Sequence, residues 1–145
     1  MFKHRKFLST VDHDAVVAAI AAAEKKSSGR VRLFITHKRA DAPVAAAEKH
    51  FHRLGLADSR HRNTVFLFIS PVSRKFAVLG DEGIHEKAGD AAWREISAAL
   101  EGHFRQGEFT AGLITAVHRA GDLLALHYPP TPESATQPPD DIETD

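Results

Sequence analysis

Residues 64–80 read TVFLFISPVSRKFAVLG. Thr64 to Ser70 is the most apolar run in the chain, rich in β-branched and aromatic side chains, as a buried strand should be. Pro71-Val72-Ser73-Arg74 interrupts it as a short turn, and Lys75 to Gly80 resumes it. The pattern predicts an antiparallel hairpin. A turn centred on residues 72–73 sets Val65 opposite Gly80 and brings Asn63 near Asp81 and Glu82.

Working outward, VRLFITH (31–37) reads as a second buried strand. Between the two strands, Asp41-Ala42-Pro43 opens a helix with Asp41 as cap and proline in the first turn. Val44, Ala47, Phe51 and Leu54 form its apolar stripe, and Gly55 ends it. Strand, helix, strand is the unit that yields two parallel strands and a crossover. Ahead of it, Ser9 or Thr10 caps a helix reaching about Lys26, with Val16, Ala19, Ile20 and Ala23 inward. After the hairpin, one helix capped by Asp90 buries Trp93, Ile96, Leu100 and Phe104. Another, from about Phe109 to His127, turns Leu113, Val117, Ala120 and Leu124 inward. The order αβαββαα predicts an α/β fold: a small mixed sheet, made of a β-α-β crossover plus a β-hairpin, flanked by helices on both faces.

With 145 residues, 43% of them apolar and 26% charged, the chain is the size of one soluble domain. Residues 129–145 carry five acids and no base, so the other 128 hold 19 bases against 14 acids, a net +5 too diffuse to imply nucleic-acid binding. The expected division is a basic, flexible arm over 1–8, an α/β domain over 9–128, and an acidic Pro-rich tail over 129–145. The tail should be disordered or lie on the basic surface. The absence of cysteine excludes disulfides, thiolate metal sites and cysteine nucleophiles, and suits the cytoplasm. Asp12-His13-Asp14 separates the basic start from the apolar run 15–23, which passes into Glu24-Lys25-Lys26, so no signal peptide is expected. No run approaches the ~20 apolar residues of a membrane span, so no stable membrane insertion is expected.

The chemistry concentrates at Gly80-Asp81-Glu82-Gly83. The hairpin register puts this loop beside His61-Arg62-Asn63, where carboxylates, an amide and glycine backbone converge. Oxygen ligands of that kind suit Ca²⁺ or Mg²⁺. Backbone N–H groups of a Gly-rich loop entering a helix would instead hold an anion. A cross-strand ion pair from Arg62 to Asp81 or Glu82 is the plain structural alternative. Glu82 and Glu86, four apart, could share a helical face as an acid–base pair or simply be solvated. Of the ten histidines only His85 falls in this loop, and none shows metal-ligand spacing. No sequence signal calls for an organic cofactor.

The run RNTVFLFISPVSRKFAVLGDEGI together with FRQGEFTAGL (104–113) resembles the TPM domain family. Phe104, Gly107, Phe109, Gly112 and Leu113 match its aromatic-x-x-Gly-x-aromatic-x-x-Gly-Leu helix start. The order of elements matches from about residue 10 to 128, closest to small stand-alone bacterial members. The resemblance implies a three-layer α/β/α sandwich, a phosphatase label and an association with divalent cations, calcium especially. It maps the family's site onto Asn63-Thr64 and Gly80 to Gly83. Arg62 stands where many members have an acid, and Thr64 replaces the usual glycine. Losing a carboxylate and gaining a cation weakens metal binding and suits a phosphate or carboxylate ligand.

The expected ligand-binding residues are therefore Arg62, Asn63, Thr64, Gly80, Gly83 and Glu86, with Asp81 and Glu82 as ligands to calcium or magnesium. The first functional reading is a TPM-like domain binding a divalent cation or a phosphate-containing small ligand, with phosphatase activity open. The second is a non-enzymatic module that binds a partner protein in an envelope or stress-related assembly.

Overall fold

The computed structural model describes residues 4–145. Phe2, Lys3 and the side chains of His4, Arg5 and Lys6, which make up most of the expected basic arm, lie outside the described residues. The backbone from His4 to Thr10 forms α1, and Phe7 at its centre is 2% exposed, so this segment is anchored to the domain. The helix expected from Ser9 or Thr10 onward is two helices. The break comes at Asp12, which caps α2 (His13–Lys25) by accepting the Ala15 N–H at 3.1 Å. Its short carboxylate reaches an amide that the macrodipole also makes favourable for negative charge. Thr10 instead donates to the Phe7 carbonyl at 2.9 Å.

Strand β1 (Arg30–Ile35) leads to α3 (Pro43–Arg53), a 3-10 turn over Leu56–Asp58, and β2 (Thr64–Ser70). Proline occupies the first turn of α3 as expected, but Ala42 holds the cap position and no side chain caps the helix. Asp41 pairs with Arg39 at 2.9 Å instead. Ala47 and Phe51 face the sheet, whereas Val44 is 52% exposed: it sits in the first turn, beyond the edge of the buried face. Gly55, with φ 72°, ends the helix in the left-handed region.

β3 (Lys75–Gly80) pairs antiparallel with β2, in the register that sets Val65 opposite Gly80. β1 and β2 pair in parallel from Arg30↔Thr64 to Ile35↔Ile69. The remaining helices are α4 (Glu82–Ala88), α5 (Asp90–Arg105), α6 (Phe109–His127) and α7 (Pro132–Thr136). Asp90 is the first residue of α5, and Gly89 holds its cap position. A final strand, β4 (Ile142–Thr144), lies parallel to β1, giving a four-stranded sheet ordered β3-β2-β1-β4.

The pleat divides the core. Val31, Leu33, Ile35, Val65, Leu67 and Ile69 pack with the buried faces of α2, α5 and α6. Phe34, Phe66 and Phe68 point the other way, against Ala47 and Phe51 of α3. β2 is buried at every position because helices cover both faces, and the fold is an α/β/α sandwich. The tail expected to be disordered or surface-bound runs along the open edge of β1, held by carboxylates that meet arginines and histidines of the body.

Candidate functional site

The site is built where β2 begins and β3 ends. The hairpin register fixes this end of the sheet, and the Asp81 N–H donates to the Thr64 carbonyl at 2.9 Å, one step beyond the ladder. Arg62 takes a left-handed conformation, φ 51°, which turns its carbonyl toward the start of α4. That carbonyl accepts from the Gly83 N–H at 2.8 Å and the Ile84 N–H at 3.2 Å. The two glycines have packing reasons. A Cβ on Gly83 would lie 2.2 Å from the His61 carbonyl oxygen, and one on Gly80 would lie 2.0 Å from the Trp93 ring.

The expected residues do converge, and their partners are specific. Asp81 caps α4, its Oδ1 accepting the Glu82 N–H at 2.7 Å. Its side chain is 3% exposed, and the Arg62 guanidinium grips both oxygens: Nε donates to Oδ2 at 2.8 Å and Nη2 to Oδ1 at 2.7 Å. The remaining Arg62 nitrogen, Nη1, lies 3.0 Å from Glu82 Oε2. The Asp81 hydrogen bonds push the Arg62 pKa further up. Asp81 is thus saturated by a planar cation belonging to the chain itself.

Asn63 is buried between two loops. Its side-chain amide nitrogen lies 3.5 Å from Ser28 Oγ, and its backbone carbonyl accepts the Arg30 N–H at 3.4 Å. Thr64 is buried, while Glu86 on α4 is exposed. Burial, and then the charges of Glu86 and Asp81, raise the pKa of the neighbouring Tyr128 hydroxyl. His85 serves packing: its Nδ1 accepts the Trp93 indole N–H at 2.8 Å.

Beside Asn63 opens a cleft of about 500 Å³. Ser28, Ser59, Arg60 and His61 line it on the domain side, and the segment around α7 closes the other. The Ser59 hydroxyl oxygen is buried and has no hydrogen-bond partner among the described residues. The sequence singles out His61 at this end of the sheet, whereas Ser28, Ser59 and Arg60 read only as loop. The signal was the parallel pairing: strands running the same way set the loop before β1 beside the loop before β2. Among the described residues no group of three or more His, Asp or Glu is placed to hold a metal ion, and no helix is long and apolar enough to cross a membrane.

An α/β/α sandwich whose mixed sheet ends in a strand-start asparagine and a Gly-rich helix entry defines a narrow class of domain. The TPM domain model matches residues 1–123, and the chain belongs to that family. The BA42 protein of the psychrophilic bacterium Bizionia argentinensis, solved by NMR, is similar, with 28% identity, a TM-score of 0.82 and coverage of 92% of each chain. No curated protein matches the chain.

Proposed function

We propose that this chain is a ligand-binding TPM domain that takes a small phosphate-containing ligand at the start of β1 and β2. The cleft beside Asn63 is the observation that supports this reading most. Ser28, Ser59, Arg60, His61 and Asn63 line one space, and the buried Ser59 hydroxyl lacks a partner among the described residues. A phosphate group offers several strong acceptors, matching donors of these kinds. Arg62 serves here as the brace that holds the 61–64 loop to α4, through Asp81.

Calcium or magnesium at Asp81 and Glu82 is the rival ligand. As they stand, these residues do not fit one, because the guanidinium already occupies both Asp81 oxygens. Phosphate-ester hydrolysis through such a cation forms no part of this reading. A cytoplasmic place of work belongs to the proposal and is supported by the absence of cysteine.

Amide NMR titrations with inorganic phosphate, Ca²⁺ and Mg²⁺, each at fixed ionic strength, test it. Saturable shifts with phosphate at Ser28 and Ser59–Thr64 are expected. Saturable shifts with a cation at Asp81 and Glu82 would favour the rival. No saturable response to any of the three would remove both. The interaction-module reading draws on a separate observation, the seat of the tail.

A further inference from the structure

The edge of β1 carries a row of groups that read carboxylates, and the tail shows what they read. Arg30 Nε donates to Asp140 Oδ2 at 2.9 Å, while its other nitrogens bond Gln137 Oε1 at 2.6 Å and the Pro138 carbonyl at 3.0 Å. Arg32 pairs with Glu143. His13 of α2 meets Asp141 at 2.9 Å. Just past β1, the Thr36 hydroxyl bonds Asp145 Oδ2 at 2.6 Å, and the His37 N–H bonds Oδ1 at 2.8 Å. The backbone adds parallel pairing over Leu33↔Ile142 to Ile35↔Thr144. Within residues 129–145, Ile142 is the side chain that packs against the main core.

Three features separate the seat from its occupant. The receiving side chains, from His13 to His37, lie within the residues matched by the TPM domain model, and the tail lies beyond them. The fit is incomplete: among the described residues Arg32 Nε is buried without a hydrogen bond, and it stands 3.7 Å from Asp140 Oδ1. Contacts made mainly by ions, over a short strand, are also screened by salt and easily exchanged for water. Without the tail, β1 would be an edge strand with unpaired backbone groups, a template for another strand.

We propose that the edge of β1 is a docking site for an acidic, extended segment of a partner protein, and that residues 140–145 occupy it as a resident competitor. The segment it takes has carboxylates in the places of Asp140, Glu143 and Asp145, with an apolar residue in the place of Ile142. Arg30 lines both the cleft and this seat, but the contacts of Arg32, His13, Thr36 and His37 lie outside the cleft, so the inference does not depend on the ligand reading.

The test uses the full chain with its tail neutralised by D140N, D141N, E143Q and D145N. The probe is a synthetic peptide of sequence QPPDDIETD, followed by amide NMR. Saturable shifts over Arg30–His37, weakened by salt and by Arg32→Gln, are the expected result. Wild type should bind the same peptide at least about tenfold more weakly, because its own tail competes at high effective concentration. No binding to the neutralised chain overturns the proposal, as does equal binding by both chains. Equal binding of QPPNNIQTN overturns the charge recognition. If the neutralised chain does not fold, wild type is titrated with the acidic peptide at millimolar concentration. The amides of 140–145 should then move to free-peptide positions, and tail amides that stay in place overturn the proposal.

Discussion

Two arginine–carboxylate systems hold this domain together, and they differ in who supplies the carboxylate. At the Arg62 clamp, Asp81 is fixed by the hairpin register and by its own N–H bond to Thr64. At the edge of β1, the acids come from a segment that must be ordered before it can pair. Exposure follows the same division: the Asp81 side chain is 3% exposed and that of Glu143 27%. When the tail peels away, its acids return to water. Asp81 can do so only if the end of the sheet opens. Similar chemistry therefore braces the fold in one place and forms a releasable contact in the other.

The sharpest way to break this comparison is to remove one arginine from each system. Arg62→Ala leaves a buried carboxylate without its cation, and the chain should lose more stability than from any other substitution considered. Arg32→Ala should cost roughly half as much or less, because Glu143 can turn to solvent. Urea unfolding of both variants measures this, and similar losses would erase the distinction. The Arg62→Ala, Asp81→Ala double variant should lose less than the sum of the two singles.

Gly83→Ala comes next. Its Cβ would meet the His61 carbonyl at 2.2 Å, and that oxygen belongs to backbone that cannot swing aside. A destabilisation of about 1–3 kcal/mol in urea unfolding is expected. Altered phosphate-titration shifts at Asn63 should accompany it, since the same loop carries the cleft.

Acid and base should loosen the tail from opposite sides. Burial acts to raise the Asp145 pKa, but the Thr36 hydroxyl and the His37 amide and ring overcome it and bring it down to about 2. Its contribution is present above its ordinary value of 3.8 and is lost as pH falls through about 2. Glu24 runs the other way. Burial, then the neighbouring Asp140, pushes it up to about 8, against the two amides that favour its charge. Its contribution is full below 4.5 and fades as pH rises through about 8. The amides of 140–145 should therefore report strongest docking between these limits. A flat profile would remove both groups from the account.

The clamp was far more legible in the sequence than the tail's seat, for physical reasons. A short hairpin turn sets register within a residue or so, so Val65 opposite Gly80 already implied Arg62 near Asp81. The stripes of α5 and α6 were readable because a buried helical face repeats along the chain. Cap positions were not: Ser9, Thr10 and Asp12 are all good cap residues, and nothing local chooses among them. The tail was harder still. Arg30 and Arg32, two apart on one strand, do share a face, but nothing local tells which strand is the edge. The cleft hid in ordinary polar loops until parallel pairing set them side by side.

The smallest expected effect lies inside the clamp and sharpens what makes it a brace. Arg62 holds two acids, yet the Glu82 side chain is 79% exposed and that of Asp81 only 3%. Glu82→Gln should change stability by no more than about 0.5 kcal/mol, the range of exposed ion pairs. If it proved as costly as loss of Arg62, the brace would rest on an acidic pair rather than on one buried aspartate. Glu82 would then rank with Asp81 as a structural carboxylate. If it is neutral, Glu82 is the one acid at this end that can be released at little cost. A calcium titration of the wild type should then show any cation contact first at the Glu82 amide, ahead of Asp81.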